Sequence, residues 1–322
     1  MLRLARWFLG FLALVVALAG AGVAYLFLAY PDVPPAEDVS IVVTPEKLAR
    51  GAYLANYVSG CVECHGTRDW SKYAAPLIPG TEGRGGDFFG EAGTPVQLWA
   101  PNITPTALGD WTDGEIIRAV TAGVARDGRA LFPIMPYLNY GQMAREDIEA
   151  IVAYIRTLPP IEFTAPARQL GFPLPLVVRT IPQPAAHRPV PPKSDKVAYG
   201  EYMTNAAACA DCHTPQDSGQ PQPGMAFAGG FEFPLKNGKR IRTANITPDA
   251  DTGIGTWTEQ QFVDKFKAFD GAPHRAMSDA EQGENTYMPW YVYAEMEAED
   301  LAAIYAYLRT VPPVVNRVTI RP

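Results

Sequence analysis

Cysteine and histidine fall together twice in this 322-residue chain, as Cys61-Val62-Glu63-Cys64-His65 and Cys209-Ala210-Asp211-Cys212-His213. The two runs use all four cysteines of the sequence and two of its four histidines. A Cys-x-x-Cys spacing sets both sulfurs on one side of a helical turn. A histidine directly after the second cysteine can then reach a metal lying over that turn. This is what two thioethers to a porphyrin and an axial bond to its iron require. Chance supplies roughly 0.0006 such runs in a chain of this composition, so two of them are a signal. A zinc site made from the cysteine pairs would use the thiols but gives no reason for a histidine after each. A thioredoxin-like redox pair lacks the alternating strands and helices that would support it. The expectation is two covalently bound haem c groups, attached at Cys61, Cys64, Cys209 and Cys212, with His65 and His213 as proximal ligands.

The sixth iron ligand must come from elsewhere. Met135 and Met143 are available in the first half of the chain, and Met225, Met277, Met288 and Met296 in the second. Only Met135 and Met288 occupy matching places, each before a proline and each between the second and third helices of its half. They are the expected distal ligands, and the other methionines are left as core or surface. His/Met ligation raises the reduction potential and leaves no open position for substrate, which favours electron transfer over catalysis. Trp111 and Trp257 could donate indole N–H bonds to haem propionates, and Asn102 and Asn245 could do similar polar work at the haem edge. The other reading is that the tryptophans pack the core and the asparagines shape turns. His187 and His274 read as solvated loop residues.

The elements that must hold these residues come as a repeat. The cysteine runs lie 148 residues apart, and other features recur in the same order. Gly51-Ala52-Tyr53-Leu54 returns as Gly200-Glu201-Tyr202-Met203, and Asn102-Ile103-Thr104-Pro105 as Asn245-Ile246-Thr247-Pro248. Trp111-Thr112 returns as Trp257-Thr258, Met135-Pro136 as Met288-Pro289, and Leu158-Pro159-Pro160 as Val311-Pro312-Pro313. This pattern predicts a tandem duplication, with domains at 40–160 and 194–316 and a connector at 161–193. Ten prolines in residues 159–192 exclude a long helix or a central strand there and predict an extended surface path, with one short helical turn near Leu174–Arg179. Thr44-Pro45 predicts a helix start leading to Cys61, and Ser194 plays the cap in the second half. Thr112 to Glu115 and Thr258 to Gln261 read as capping boxes. Ile148, Ile151, Val152 and Ile155 predict one face of a third helix, and Leu301, Ile304, Tyr305 and Leu308 its counterpart. The long segments between these helices make sense if a large prosthetic group fills the centre.

Residues 1–6 carry Arg3 and Arg6, and Trp7 to Tyr30 is an uncharged stretch of 24 residues. As a helix it would be about 36 Å long, enough to cross a bilayer core. Asp32, Glu37 and Asp38 follow. This charge order predicts a single transmembrane anchor at 7–30 in the cytoplasmic membrane. Its N-terminus would lie inside and the rest of the chain in the periplasm or on the outer face. A cleaved signal peptide with Ala17-Leu18-Ala19 as its cleavage site is the alternative, but the apolar run continues past it. The formal net charge of −7 excludes the basic footprint of a nucleic-acid binder.

The repeated Asn-Ile-Thr-Pro, the run Thr252 to Thr258, the two Met-Pro pairs and the closing Ala-Tyr-Ile/Leu-Arg-Thr helices resemble the mono- and dihaem cytochrome c family. They are most similar to the cytochrome c subunits of membrane-bound alcohol, aldehyde and gluconate dehydrogenases. Leu170-Gly171-Phe172-Pro173 followed by Arg179 is similar to the interdomain segment of those subunits. The resemblance implies a mostly α fold, with two tandem class I-type cytochrome c domains behind the N-terminal helix. It also implies electron acceptance from a dehydrogenase and delivery to quinone or a terminal oxidase. Those subunits usually carry three haem motifs and a C-terminal anchor, where this chain has two motifs and an apolar N-terminal segment. The expected function is a membrane-anchored dihaem electron carrier rather than an enzyme. It would pass electrons from a dehydrogenase or quinol-oxidising complex to a soluble cytochrome or oxidase. A dihaem peroxidase is one competing reading, though no histidine stands between His65 and His187 to act distally in the first half. A structural tether within a respiratory complex is another.

Overall fold

A computed structural model of the chain describes residues 2–90, 94–235 and 238–322. The apolar N-terminal stretch is one helix, α1 (Leu2–Ala29), with none of its hydrophobic window buried against the rest of the protein. The chain then runs extended to Thr44, whose hydroxyl accepts the Lys47 N–H and starts α2 (Pro45–Tyr53) with proline in its first turn. The helix predicted to reach Cys61 stops short. It loosens into a single π turn over Leu54–Val58 and breaks at Gly60 before α3 (Cys61–Cys64).

Strands β1 (Phe88–Gly90) and β2 (Val96–Trp99), then α4 (Pro105–Leu108), lead to α5 (Asp113–Ala122), α6 (Tyr137–Tyr140) and α7 (Arg145–Ile155). The α5 start is the expected capping box: Thr112 Oγ1 accepts from Glu115 N, and Glu115 Oε2 from Thr112 N. Ile148, Ile151, Val152 and Ile155 are all buried.

The connector adds β3 (Gln169–Leu170), paired antiparallel to β2, and α8 (Leu174–Arg179) at the expected place. The connector is therefore extended but not free. It supplies a two-residue edge strand, a position that its prolines permit.

The second half repeats the order. It contains α9 (Lys196–Ala206), α10 (Cys209–His213), two small hairpins, α11 (Glu259–Lys267), a 3₁₀ turn at Asp279–Glu284, α12 (Trp290–Ala294) and α13 (Ala298–Leu308). The hairpins are β4 (Gln216–Asp217) with β5 (Gln220–Pro221), and β6 (Glu232–Pro234) with β7 (Arg240–Arg242). The α9 cap is Asp195, not Ser194: its carboxylate accepts the Ala198 N–H at 3.1 Å. Thr258 and Gln261 form the second capping box.

One contiguous apolar cluster runs through both halves, from Leu54 and Ile148 to Met203 and Leu301. The first and last helices of each half cross in backbone contact. A Cβ on Gly51 would lie 1.9 Å from Ala150 O, and one on Gly200 would lie 1.9 Å from Ala303 O. Glycine at those two positions lets α2 reach α7, and α9 reach α13, at the distance their apolar faces need.

Candidate functional site

Each cysteine run begins after a residue in the left-handed region, Gly60 at φ 60° and Ala208 at φ 52°. That reversal turns the chain out of the preceding helix and starts the short turn that carries both sulfurs. None of the four cysteines forms a disulfide. Desolvation pushes the thiols of Cys61 and Cys209 up to about 12, with the neighbouring Cys64 and Cys212 adding to the effect. A redox-active pair needs the opposite shift, because the thiolate is the reactive form. Among the described residues no group of three or more His, Cys, Asp or Glu is arranged to hold a metal ion.

The two histidines are held identically. His65 Nδ1 lies 2.9 Å from Pro101 O, and His213 Nδ1 lies 2.8 Å from Ala244 O. Desolvation lowers the pKa of both rings, the carbonyl contact opposing it. A neutral ring that donates from Nδ1 keeps Nε2 as a lone-pair donor, the form in which histidine ligates a metal. Each motif is tied to its acceptor through an intervening segment. Gly85 N donates to His65 O at 2.5 Å and the next residue, Gly86, donates to Ala100 O at 2.9 Å; Gly229 N donates to His213 O at 2.7 Å and Gly230 to Thr243 O at 2.8 Å.

The residues after those acceptors are bonded within the protein. Asn102 Oδ1 accepts from Thr104 N and Thr104 Oγ1, and its Nδ2 donates to Ile161 O and Phe163 O. Asn245 Oδ1 accepts from Thr247 N and Oγ1, and its Nδ2 donates to Val314 O and Thr252 Oγ1. Both amides are buried and bonded to the protein itself. They tie the loop to the segment leaving the last helix. Trp111 and Trp257 are half-buried and pack against the core. Their backbone carbonyls accept from Arg156 and Tyr305, side chains of α7 and α13.

Met135 and Met288 sit in the same turn of their halves. Tyr137 N donates to Met135 O and Trp290 N to Met288 O, each at 2.8 Å, opening α6 and α12. Both methionines are half-buried, whereas Met143, Met203, Met277 and Met296 are core. His274 is exposed against the Tyr291 ring, while His187 is tied by Nδ1 to Met143 O at 2.7 Å rather than free in solvent.

The halves differ in one cluster that the sequence reading passed over. In the first, buried Arg68 donates from Nε to Asp87 Oδ2 at 2.5 Å, lies over the Trp70 ring, and shares Asp87 with the Trp70 indole N–H. Glu63 is buried beside them, and desolvation pushes its carboxyl up to about 7 against the pull of Arg68. Gln216 and Phe231 stand where the repeat would place Arg68 and Asp87. The signal was an arginine three residues past His65 with no partner in the second copy.

The paired motifs share one arrangement, a carbonyl-held histidine beside two unpaired thiols. Residues 197–312 match the family model for cytochrome c, so the second half carries a cytochrome c domain. The chain is 28% identical over 284 residues to the cytochrome c subunit of a quinone-dependent alcohol dehydrogenase from Gluconacetobacter polyoxogenes, covering 82% of this chain and 56% of that one. It is 28% identical over 297 residues to a fructose dehydrogenase cytochrome subunit from Gluconobacter japonicus, covering 86% and 55%. It is also 28% identical over 275 residues to a dihaem c-type cytochrome from Cereibacter sphaeroides, covering 80% and 84%. The chain thus spans about half the length of the dehydrogenase subunits it matches.

Proposed function

We propose that this protein is a membrane-anchored dihaem c-type cytochrome. It carries electrons outside the cytoplasmic membrane, from a dehydrogenase or quinol-oxidising complex to a soluble cytochrome or terminal oxidase. The observation that carries this reading is the duplicated histidine geometry, with Nδ1 against Pro101 O in one half and Ala244 O in the other. The residues suit the group: Cys61 and Cys64 would hold one haem and Cys209 and Cys212 the other, with His65 and Met135, and His213 and Met288, as axial pairs. Haem c, when bound, supplies a one-electron couple whose potential His/Met ligation raises.

The chain's own part is positional. Pro101 and Ala244 orient the histidines, and the turns opening α6 and α12 orient the methionines. The domains proposed are 40–160 and 194–316, joined by 161–193, with 7–30 as the retained span. Its dehydrogenase-subunit relatives make a redox-complex partner the natural donor.

The test is haem content and spin state in the full chain purified from membranes. Two haems per chain, both low-spin in the oxidised protein, is the expected result. The double variant Cys209→Ala/Cys212→Ala should keep one. A single haem in the unmodified chain, or a high-spin centre that turns over peroxide, would overturn the carrier reading.

A further inference from the structure

The connector helix α8 is fastened to the end of α1. Arg179 Nη2 donates to Phe27 O at 2.9 Å and also to Tyr30 O, and the guanidinium lies over the Phe27 ring, 4.6 Å from its centroid. Phe27 belongs to the last turn of α1, whose carbonyls have no further helical N–H to accept from. Arg179 fills that role and holds α8 at the level where the apolar helix stops. Val178 is buried, but the segment's other side is open. Phe172 is 85% exposed and Val177 48%, with Pro173 and Pro175 exposed between them. Outside α1, Phe172 is the most exposed large apolar side chain among the described residues.

The charge of the connector is as unusual as its surface. Residues 163–192 contain no Asp or Glu but hold Arg168, Arg179 and Arg188, in a chain with 34 acids and a net charge of −7. At the chain's average density about three acids would fall in those 30 positions. An exposed aromatic and aliphatic pair flanking the same short segment as Arg179, on a stretch of sequence without acid, matches the boundary between anionic headgroups and acyl chains.

We propose that the Phe172–Arg179 segment is a second membrane contact, seated in the outer-leaflet interface beside the exit of α1. The proposal rests on α1 being a retained span. A single helix would leave the two-halved body free to swivel on its tether. A second contact beside it, on the sequence that joins the halves, fixes how both present themselves to a membrane-bound donor. Phe172 and Val177 enter the acyl boundary while Arg179 keeps its head among the carbonyls and headgroups.

The test places a nitroxide at Phe172→Cys or Val177→Cys in the full haem-loaded chain. The chain is reconstituted in nanodiscs of phosphatidylethanolamine and phosphatidylglycerol. Val16→Cys in α1 gives the lipid reference, and Thr256→Cys on an exposed turn gives the water reference. Oxygen collision should exceed that of a water-soluble nickel chelate at 172 and 177, as at 16, with the order reversed at 256. Labels at 172 and 177 that follow the water order, or that are shielded from both reagents by a second copy, overturn the contact. Intact mass of the same preparation separates the two readings. A chain beginning beyond residue 30 removes the anchor and this contact together. A complete chain with both labels in water removes this contact alone.

Discussion

A histidine that ligates through one ring nitrogen is oriented by what the other nitrogen holds. Here that partner is a backbone carbonyl in both halves, Pro101 O and Ala244 O. A carbonyl can only accept, so the ring must donate from Nδ1 and present Nε2. On the proposed ligation the distal side is a softer commitment, because a thioether is held by the turn it sits in. Replacing Met135 or Met288 by alanine should therefore leave the fold intact and convert one haem to high spin. Its midpoint potential should move on the order of 0.1–0.4 V within the roughly 0.8 V that axial ligands command. Electron paramagnetic resonance with a potentiometric titration reads both, and an unchanged spectrum would remove that methionine from the ligand set. Asn245→Ala should act differently. It leaves Thr247 N and the Val314 carbonyl without their partner, at about 1–3 kcal/mol for a buried unsatisfied group. The loss should register in thermal unfolding of the second half with the haem spectrum unchanged.

At the scale of elements, the pairing of first and last helix in each half depends on a residue with no side chain. Gly51 and Gly200 each put a Cα where Ala150 O or Ala303 O would meet any added carbon at 1.9 Å. Gly51→Ala and Gly200→Ala should each force the crossing helices apart. The cost should be at least the ~1–3 kcal/mol of an overpacked core, more than the gain from alanine's helix propensity. Calorimetry of the two variants checks this, and a stabilised Gly200→Ala would contradict the packing account. The final helices also do not cap themselves. Neither Ala144 before α7 nor Glu297 before α13 offers a side chain to its own first turn. A tyrosine from the opposite half does so instead. Tyr53 OH donates to Asp300 Oδ2 at 2.7 Å and accepts from Glu297 N, while Tyr202 OH donates to Asp147 Oδ2 at 2.6 Å and accepts from Ala144 N.

Across the whole molecule those two tyrosines make a reciprocal clasp. Each half closes the other's last helix, as the same surface does on both sides of a two-fold dimer. The acids are otherwise neutralised by nearer cations: Arg50 grips Asp147 with two bonds, and Lys193, at the end of the connector, reaches Asp300 at 3.0 Å. Burial, with the adjoining carboxylate's charge and hydrogen bond next, raises the pKa of both tyrosines, so they remain donors into alkali. Tyr53→Phe and Tyr202→Phe should each cost about 1–3 kcal/mol, because the opposite acid loses a buried donor. The double variant should split one unfolding transition into two, one per half. A single unchanged transition would mean that the shared apolar cluster alone couples the halves.

The sequence by itself determined what is local. Two Cys-x-x-Cys-His runs, the Thr–Glu and Thr–Gln capping boxes and the stripe of Ile148, Ile151, Val152 and Ile155 all act within one or two helical turns. Spacing along the chain is therefore spacing in space. The repeat extended that reading to Met135 and Met288, since two copies of one order pick out the matching methionines. Where local rules compete, the sequence reading slipped: Ser194 and Asp195 are both good caps, and backbone geometry chose Asp195. Only the tertiary structure decided the rest. The amides of Asn102 and Asn245 donate to carbonyls 59 and 69 residues away, Ile161 O and Val314 O. Tyr53 meets Asp300 across 247 residues, and Arg179 meets Phe27 across 152. No periodicity encodes such contacts, because they exist only once apolar faces have packed and left particular polar groups buried side by side.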